Sequence, residues 1–364
     1  MKKVFVLILI AVVASLNAKS NLRFDDAENI PIKSRGKDKI LNTKLIWEID
    51  ETEDFYGFSY VSQIEVYNNK LYILESEEWI SVFTTSGKYI DQFGIKGNGP
   101  GEIQLMKDFD LYNDHIFSLD KSKYVVCKYD MNFKLIWEKK LPSEYLETLS
   151  PEEIEVNEKG ILISGFSTNQ SLSSIPTLFL LDEEMKILDK KFIYTPEKKM
   201  DAYGLLINTA NRLTADNSGV YFAMMGGTDF LYKYDLNTNE IEYCIEKIGP
   251  GNGKYKIKNH SDGGTELMCY FNALDINCSE NYLVSGENGG AFTKKQDKIK
   301  VPKSYKNNIA LYRKNGTYLG SYFDDDLEYD YSGFTTGIQE EEESLYIYLY
   351  SPVSESLKKI KVKL

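Results

Sequence analysis

The chain is poor in the residues from which common catalytic and metal centres are built. Its 364 residues include two histidines and four cysteines: His115, His260, Cys127, Cys244, Cys269 and Cys278. Two histidines cannot form a three-histidine zinc site, and the cysteines do not have the spacing of zinc ligands. No Gly-x-Ser-x-Gly motif occurs, so a fused serine hydrolase is not supported.

Concentrated positive charge is also missing. The chain has 43 Lys and Arg against 55 Asp and Glu, a formal net charge of -12, and no basic block. Binding to phosphate backbones requires a positive face, so we expect no nucleic-acid partner. Anionic membrane surfaces are disfavoured for the same reason.

Apolar runs are too short to cross a membrane, and the clearest one stands at the N-terminus. Lys2 and Lys3 precede the run from Val4 to Val13, and a small-residue exit ends at Ala18. A spanning helix needs about 20 apolar residues, so this pattern predicts a cleaved signal peptide over residues 1–18 and no membrane insertion. No cysteine lies near the exit, so no lipoprotein anchor is expected and the protein should be secreted or periplasmic. Residues 19–43 are polar and aperiodic, which predicts a flexible spacer.

The most informative motif is a glycine-rich stretch at residues 93–102, Phe-Gly-Ile-Lys-Gly-Asn-Gly-Pro-Gly-Glu. It follows a predicted hairpin with its turn at Gly87-Lys88 and precedes another extended segment. Glycine permits positive φ and proline fixes φ, so such a loop can carry the chain from the outer strand of one β-propeller blade to the inner strand of the next.

A strand–turn unit recurs along the rest of the chain and predicts six blades. Short strands such as Leu71–Leu74 and Ile116–Leu119 are each followed by a strand that leads into a tight polar turn. The last unit is one strand short, and the run from Lys44 to Ile49 is left unassigned at the other end. Pairing this run beside Leu357–Leu364 would close the ring and remove an open edge. We therefore predict an all-β fold, a six-bladed β-propeller over residues 44–364.

These residues resemble the NHL-like six-bladed propeller proteins, which include many secreted bacterial proteins of unassigned role. The resemblance is most specific at residues 93–102 with Gly87-Lys88 upstream, and Ile248–Gly253 echoes it. It implies the fold and no particular activity, because propellers support binding and catalysis alike.

The long connections are predicted to lie on one face. They join the second strand to the third within a blade, or the fourth strand to the next blade, whereas the other turns are short. Loops on a rigid scaffold are common places for binding. Polar residues at the channel mouth on this face are the candidate ligand-binding residues: Gln63, Asp108, Glu153, Asn211, Arg212 and Asn272. Arg212 could hold a carboxylate or sulfate, or it could pair with Asp108 or Glu153.

The leading functional hypothesis is a monomeric binding scaffold for a glycan, peptide or protein partner on this face. The alternative is a divalent-metal-dependent hydrolase or lactonase-like enzyme, with oxygen ligands from Asp108, Glu153, Asn211 and Asn272. A structural surface protein without a pocket is the third possibility.

No cofactor is predicted, and calcium is considered only at acidic turns. Asp235, Asn237 and Asn239 imitate the start of a calcium loop, but residue 240 is Glu where that loop needs glycine. A hairpin turn is therefore predicted there. We also expect Cys127 and Cys244 to behave as small core residues, and no disulfide is expected between Cys269 and Cys278.

Overall fold

A computed structural model describes residues 31–33, 39–52, 54–167, 169, 171, 175–194, 211–224, 230–238, 240–246, 256–259, 265–268, 273–287, 293–295, 298–300, 308–323 and 335–364. Within these residues, six four-stranded antiparallel sheets form the blades of a propeller. The first strand of each blade contacts the first strands of both neighbouring blades, so the sheets form a closed ring around a central channel. The predicted six-bladed, all-β fold is confirmed. The predicted signal peptide lies outside the described residues.

The strands alternate in direction and follow one another with short turns in the first half of the chain. Two strands precede blade 1 in the chain, β1 (Ile32–Lys33) and β2 (Asn42–Ile49). Blade 1 contains β3 (Val61–Tyr67), β4 (Lys70–Glu75), β5 (Trp79–Thr84) and β6 (Tyr89–Phe93). Blade 2 contains β7 (Met106–Tyr112), β8 (His115–Asp120), β9 (Val125–Asp130) and β10 (Leu135–Lys140). A short helix, α1 (Ser143–Leu146), leads to blade 3, with β11 (Ser150–Asn157), β12 (Gly160–Phe166), β13 (Ile175–Leu181) and β14 (Ile187–Tyr194).

The second half of the ring carries two inserted hairpins. Blade 4 contains β15 (Asn211–Asp216), β16 (Gly219–Met224), β17 (Phe230–Asp235) and β18 (Glu240–Glu246), and the hairpin β19 (Lys256–Asn259) and β20 (Thr265–Met268) follows it. Blade 5 contains β21 (Ala273–Cys278), β22 (Tyr282–Glu287), β25 (Asn308–Arg313) and β26 (Tyr318–Tyr322), interrupted by β23 (Thr293–Lys295) and β24 (Lys298–Lys300). Blade 6 contains β27 (Thr335–Glu341), β28 (Ser344–Ser351) and β29 (Ser356–Lys363), with β2 as its outer strand.

The ring closes through the two ends of the chain, as the sequence predicted. Strand β2 pairs antiparallel with β29, from Asn42 opposite Lys363 to Ile49 opposite Leu357. The backbone edge of β29 is thus covered by a strand from the other end of the chain, which completes the sixth blade.

The described part of the predicted spacer contacts the propeller. Strand β1 adds a parallel fifth strand to the outer edge of blade 4, and Ile40 forms a parallel bridge with Ser321 of β26. Leu41 is buried in the core cluster of blades 5 and 6, and β2 begins two residues before the predicted boundary at residue 44. The segment therefore follows the outer edges of two blades before it enters blade 6.

The glycine-rich loop connects β6 to β7, as predicted, and it is held by charged side chains. The Glu102 carboxylate accepts a hydrogen bond from the Gly99 N–H at 2.7 Å, and a Cβ at Gly97 would lie 2.1 Å from the same carboxylate. The Lys123 ammonium donates to the carbonyl oxygens of Gly99 and Glu102, at 2.9 and 3.1 Å, and to Glu138 at 2.6 Å. The motif thus serves the blade-to-blade connection.

The hydrophobic core lies between neighbouring sheets. One cluster of buried residues joins blade 6 to blade 1 and includes Phe83 and Tyr348, and another joins blades 1 and 2 around Phe109. Cys127 and Cys244 are buried free thiols in β9 and β18, which confirms their predicted place in the core. Cys278 is also a free thiol, and Cys269 lies outside the described residues.

The outer strand pair has the same irregularity in all six blades. One residue of the fourth strand is unpaired, which shifts the register. It lies near the start of the strand in five blades and in the middle of β2 in blade 6: Ile90, Ile136, Leu188, Glu242, Leu319 and Ile46. Such β-bulges bend a strand and increase its twist, which makes an exposed edge a poorer template for another chain.

Two smaller sequence predictions can also be compared with the structure. Asp235 ends β17 in a hairpin turn, where its side chain accepts the Asn237 N–H at 2.6 Å, as predicted. Among the described residues, no helix is long and apolar enough to span a membrane.

Candidate functional site

The central channel is lined by alternate residues of the six first strands. In a strand, residues two apart lie on the same face, so each first strand points two layers of side chains into the channel. The layer nearer the predicted binding face contains Gln63, Asp108, Glu153, Arg212 and Asp275, and the next contains Glu65, Asp110, Glu155 and Asn277. Four of the six candidate residues, Gln63, Asp108, Glu153 and Arg212, thus lie together at this end of the channel, and their role in ligand binding stays a prediction.

Most of these side chains hydrogen-bond to the backbone of the following blade. The Asp108 carboxylate accepts the Ile154 N–H at 2.6 Å, and the Glu153 carboxylate accepts the Leu213 N–H at 2.7 Å. Gln63 makes two such bonds, because it accepts the Phe109 N–H at 3.0 Å and donates to the Phe109 carbonyl at 2.7 Å.

The same pattern continues in blade 5 and in the second layer. The Asp275 carboxylate accepts the Thr336 N–H, and the Asp110 carboxylate accepts the Val156 N–H, both at 2.6 Å. Glu155 accepts the Ala215 N–H at 3.1 Å. First strands of adjacent blades do not form a common ladder, so these side chains satisfy backbone donors that would otherwise be buried without a partner.

Arg212 differs because it cannot accept a hydrogen bond. Its Nη1 lies 2.6 Å from Glu153 Oε1, so the predicted pairing with Glu153 is present. Burial lowers the pKa of Arg212, but Glu153 and Asp275 raise it by more, and the guanidinium stays charged. Its Nε is buried and has no hydrogen-bond partner among the described residues.

Acidic side chains lie close together in the buried channel, and this raises their pKa values. Burial is the largest cause that raises the pKa of all six carboxyls: Glu65, Asp108, Asp110, Glu153, Glu155 and Asp275. The pKa of Asp110 rises to about 6. The neighbouring Glu153 carboxylate raises the pKa of Asp108 further, because two negative charges repel each other. Ionisation of these carboxyl groups is therefore less favourable in the channel than in water.

The space left between these side chains is small. The cavity holds about 30 Å³, which is room for one or two water molecules. Among the described residues, no three His, Cys, Asp or Glu side chains converge in a way that could hold a metal ion. Two of the four ligands in the metal-dependent alternative, the Asn211 side chain and Asn272, lie outside the described part of the chain, and this alternative stays a prediction.

The remaining two predicted residues are Asn211 and Asn272. The backbone of Asn211 pairs with Met224 at the start of β15, and its side chain lies outside the described atoms. Asn272 is outside the described residues, and Asp275 takes the equivalent place in blade 5. Sequence reasoning missed Asp275, Glu65, Asp110 and Glu155, although a polar residue two positions after each first-layer residue was a usable signal.

The connections between second and third strands and those between blades lie on one side of the ring. We call this side the long-loop face and the opposite side the short-turn face.

Near the channel mouth, a row of ion pairs crosses the long-loop face. Lys107 Nζ lies 2.5 Å from Glu77 Oε1 and 3.5 Å from Glu152 Oε2. Lys121 also pairs with Glu152 and stands over the Phe166 ring at 4.8 Å. Residues 107 and 152 are the extra residues of β-bulges in β7 and β11, which turn their side chains out of the channel.

Exposed tyrosines also lie on the long-loop face. Among the described tyrosines, those that are largely exposed are Tyr56 at 99 %, Tyr60 at 52 % and Tyr124 at 46 %. Tyr56 and Tyr60 belong to the connection from β2 to β3, and Tyr124 to the turn from β8 to β9. Tyr124 has φ 56°, a left-handed conformation that is unfavourable for a bulky residue.

A hollow of about 450 Å³ opens on the same face between blades 2 and 3. Its walls include the rings of Tyr124 and Phe166 and the segment after α1, and the only titratable carboxylate in its described lining is that of Glu147. The Asn169 amide, which also lines it, donates to the Glu147 carbonyl at 3.3 Å. The hollow therefore combines aromatic surface with uncharged polar groups and one acid.

Two solved structures of bacterial proteins are similar to this chain over most of its length. A putative exported protein from Bacteroides fragilis is 18 % identical, with a TM-score of 0.59, and the match covers 92 % of this chain and all of that one. A member of the DUF4221 family from Bacteroides vulgatus is 10 % identical, with a TM-score of 0.54, and covers 90 % of this chain and 99 % of that one. At these identities the likeness concerns the fold alone.

No curated protein matches the sequence. The family model DUF5128, described as a 6-bladed beta-propeller, matches residues 36–247, which is more than half of the chain. The closed ring of six blades and this match together show that the chain belongs to the DUF5128 family of six-bladed β-propellers.

Proposed function

We propose that this protein is an exported binding scaffold that holds a peptide, protein or glycan ligand on its long-loop face. The observation that carries the proposal is the location of the exposed tyrosines, since Tyr56, Tyr60 and Tyr124 all lie there. Exposed aromatic rings combine apolar surface with a hydrogen-bonding tip, and tyrosine is enriched at binding surfaces.

The central channel is a poorer ligand site than the long-loop face, and this supports the proposal. Its polar side chains mostly bond to the neighbouring blade, and its cavity of about 30 Å³ is too small for an organic ligand. The hollow beside Tyr124 is within the usual range of ligand pockets, roughly 300–1,000 Å³. The left-handed backbone of Tyr124 adds support, because strain of this kind is often found at functional sites.

Export is part of the proposal and rests on two observations. The N-terminal residues have the charge and apolar pattern of a secretory signal. The similar structure from Bacteroides fragilis is described as a putative exported protein.

The test is a binding measurement on the purified protein with an oligosaccharide array and an overlapping-peptide array. We expect the wild type to bind a subset of probes, and the triple variant Tyr56→Ser, Tyr60→Ser, Tyr124→Ser to bind them at least tenfold more weakly. Ile136→Ser is the matched control, because Ile136 is 49 % exposed but lies on the outer strand of blade 2. Binding that the triple variant retains, or no binding to any probe, would contradict the proposal.

A further inference from the structure

The described residues 50–52 and 54–60 of the connection from β2 to β3, which we call the tyrosine loop, are fixed to the propeller by two phenylalanines. Phe55 and Phe58 are 7 % and 9 % exposed and join the core between blades 6 and 1. The Phe55 ring lies 5.0 Å from that of Phe83, and the Phe58 ring lies 5.7 Å from that of Tyr350.

Hydrogen bonds of the backbone hold the loop on both sides of these rings. Thr52 and Phe55 exchange two bonds, at 2.8 and 3.2 Å, which closes a tight turn. After Phe58, the Ser59 N–H donates to the Glu75 carboxylate at 3.0 Å. A buried anchor on each side of Tyr56 therefore holds that side chain in solvent, where it is 99 % exposed.

Rigid presentation favours binding. A side chain whose backbone is already ordered loses less conformational entropy when a partner covers it. Tyrosine adds little to that cost, because its side chain has only two rotatable torsions. Tyr56 and Tyr60 thus form a preorganised aromatic surface without a partner in the described part of the chain.

The charge around this surface is negative. Asp50, Glu51 and Asp54 are exposed, and none has a cationic partner among the described residues. The backbone of Asp50 passes close to that of Gly57, the residue after Tyr56, because a Cβ at Gly57 would lie 3.4 Å from the Asp50 carbonyl oxygen.

The neighbouring lysines of blades 1 and 2 do not offset this charge. Lys96 pairs with Glu78, Lys107 with Glu77 and Glu152, Lys121 with Glu152, and Lys123 with Glu138. Each ammonium is thus already neutralised by a carboxylate on its own part of the face.

We propose that the tyrosine loop binds an extended polypeptide segment rich in lysine and arginine. The Tyr56 and Tyr60 rings would contact the cationic heads through their faces, and Asp50, Glu51 and Asp54 would pair with further cations of the segment. An acidic segment would be repelled, and a neutral glycan would leave the carboxylates without a counter-charge. This inference rests on the proposed function, and it names the ligand class for one part of the long-loop face.

The test selects peptides from a random twelve-residue phage library on the immobilised full-length protein. Clones that also bind the Tyr56→Ser, Tyr60→Ser variant are removed. We expect the remaining peptides to be enriched in Lys and Arg. Their affinity should fall at least tenfold when NaCl is raised from 50 to 500 mM, because the screening length shortens from roughly 14 to 4 Å.

Two matched variants separate the contributions of charge and ring. Asp50→Asn, Glu51→Gln, Asp54→Asn should weaken the selected peptides at least tenfold and abolish most of the salt dependence. Tyr56→Phe keeps the ring face and should bind within threefold of the wild type, whereas Tyr56→Ser should not.

The outcomes distinguish this inference from the broader proposal. Selected peptides that are neutral or acidic, or binding of oligosaccharides alone with loss on Tyr124→Ser, would overturn the basic-segment inference and leave the long-loop face as the binding surface. Binding that survives every long-loop-face variant would overturn both.

Discussion

At the scale of single residues, the channel carboxylates join one blade to the next. Asp108 accepts the Ile154 N–H at 2.6 Å from the following blade, yet it is surrounded by other acids and mostly buried. The hydrogen bond needs an acceptor and does not require a negative charge. A substitution that keeps the acceptor and removes the charge should therefore be tolerated. Its effect on the free energy of unfolding should depend on pH.

Asp108→Asn should become more stable relative to the wild type as pH rises. Burial raises the pKa of Asp108 above its value in the unfolded chain, so folding favours the protonated form. The stability from this group is complete below the unfolded pKa, near 4, and is lost as pH rises through the folded pKa. Urea unfolding of both proteins between pH 4.5 and 8 measures the difference.

The control for this experiment is Asp108→Ala, which removes the acceptor as well. Compared with Asp108→Asn, it leaves the Ile154 N–H unsatisfied and should cost about 1–3 kcal/mol at every pH in the range, because neither variant titrates at this position. A stability difference between Asp108→Asn and the wild type that does not change with pH would show that Asp108 is ionised normally.

Gly165→Ala should be far more damaging than Gly87→Ala. A Cβ at Gly165 would lie 2.0 Å from the Ser150 carbonyl oxygen, in the paired strands β11 and β12, so the backbone would have to move. At Gly87 the φ is +90°, but a Cβ would meet only the Trp47 ring, at 3.5 Å. We expect about 3 kcal/mol for Gly165→Ala and about 1–2 kcal/mol for Gly87→Ala, measured by thermal unfolding. Similar losses would contradict the packing argument.

The sequence predicted part of the channel, and the reason for the omissions is a matter of register. Gln63, Asp108 and Glu153 each follow a one-residue bulge, so counting from the start of a strand gives an uncertain inward face. Burial and hydrogen bonding to the next blade depend on strands some 46 to 61 positions away, which a local pattern does not reveal.

At the scale of strands, each outer strand pair has a β-bulge, and in four of the six blades the unpaired residue is an apolar side chain exposed to solvent. Ile46, Ile90, Ile136 and Leu188 are 42–50 % exposed. The neighbour that packs inward is the preceding residue in three blades (Tyr89, Leu135 and Ile187) and the following residue, Trp47, in blade 6. Regular alternation would therefore assign these strands the wrong face beyond the bulge.

Leu188→Asn should change the free energy of unfolding by no more than about 0.5 kcal/mol, because Leu188 is 50 % exposed and unpaired in the ladder. Ile187→Asn is the matched change one residue earlier. Ile187 packs against the core cluster of blades 2 to 4, so its loss should cost about 1–2 kcal/mol. Chemical denaturation of the pair measures both. Equal costs would argue against the bulge at this position.

Turns were the elements that the sequence predicted best. Asp130 and Asp182 each accept two backbone N–H bonds within their turns, which is a local interaction that depends on few residues. Residue Phe133 occupies a left-handed position at φ 61° where glycine would be expected, and it is kept there by stacking on Phe93 at 4.5 Å.

At the scale of the whole molecule, the closing sheet combines strands from the two ends of the chain. The sequence allowed this to be predicted, because a count of strands left one short in the last blade and one unassigned in the first. The six recurring strand–turn units predicted six blades, and pairing of the unassigned strand with the incomplete last unit predicted that the ring is closed.

Removal of residues 31–49 should prevent cooperative folding. The truncated chain lacks the strand that pairs with β29 from Leu357 to Lys363, and blade 6 would expose this edge. A synthetic peptide of residues 31–50, added during refolding, should restore a cooperative thermal transition by filling the gap. A peptide in which Leu45 and Trp47 are replaced by proline is the control, since proline cannot donate in the ladder. A truncated chain that unfolds like the wild type without any peptide would contradict this account.

The direction of the strands in blade 6 determines which side of the ring a C-terminal tag would occupy. The start of β2 at Asn42 and the end of β29 at Lys363 are opposite each other, on the side of the ring away from Tyr56 and Tyr124. A tag joined after Leu364 and captured on a sensor chip would point the tyrosine-bearing side toward the solution. The same attachment would suit display on a particle or fusion to a reporter, because neither would compete for that side.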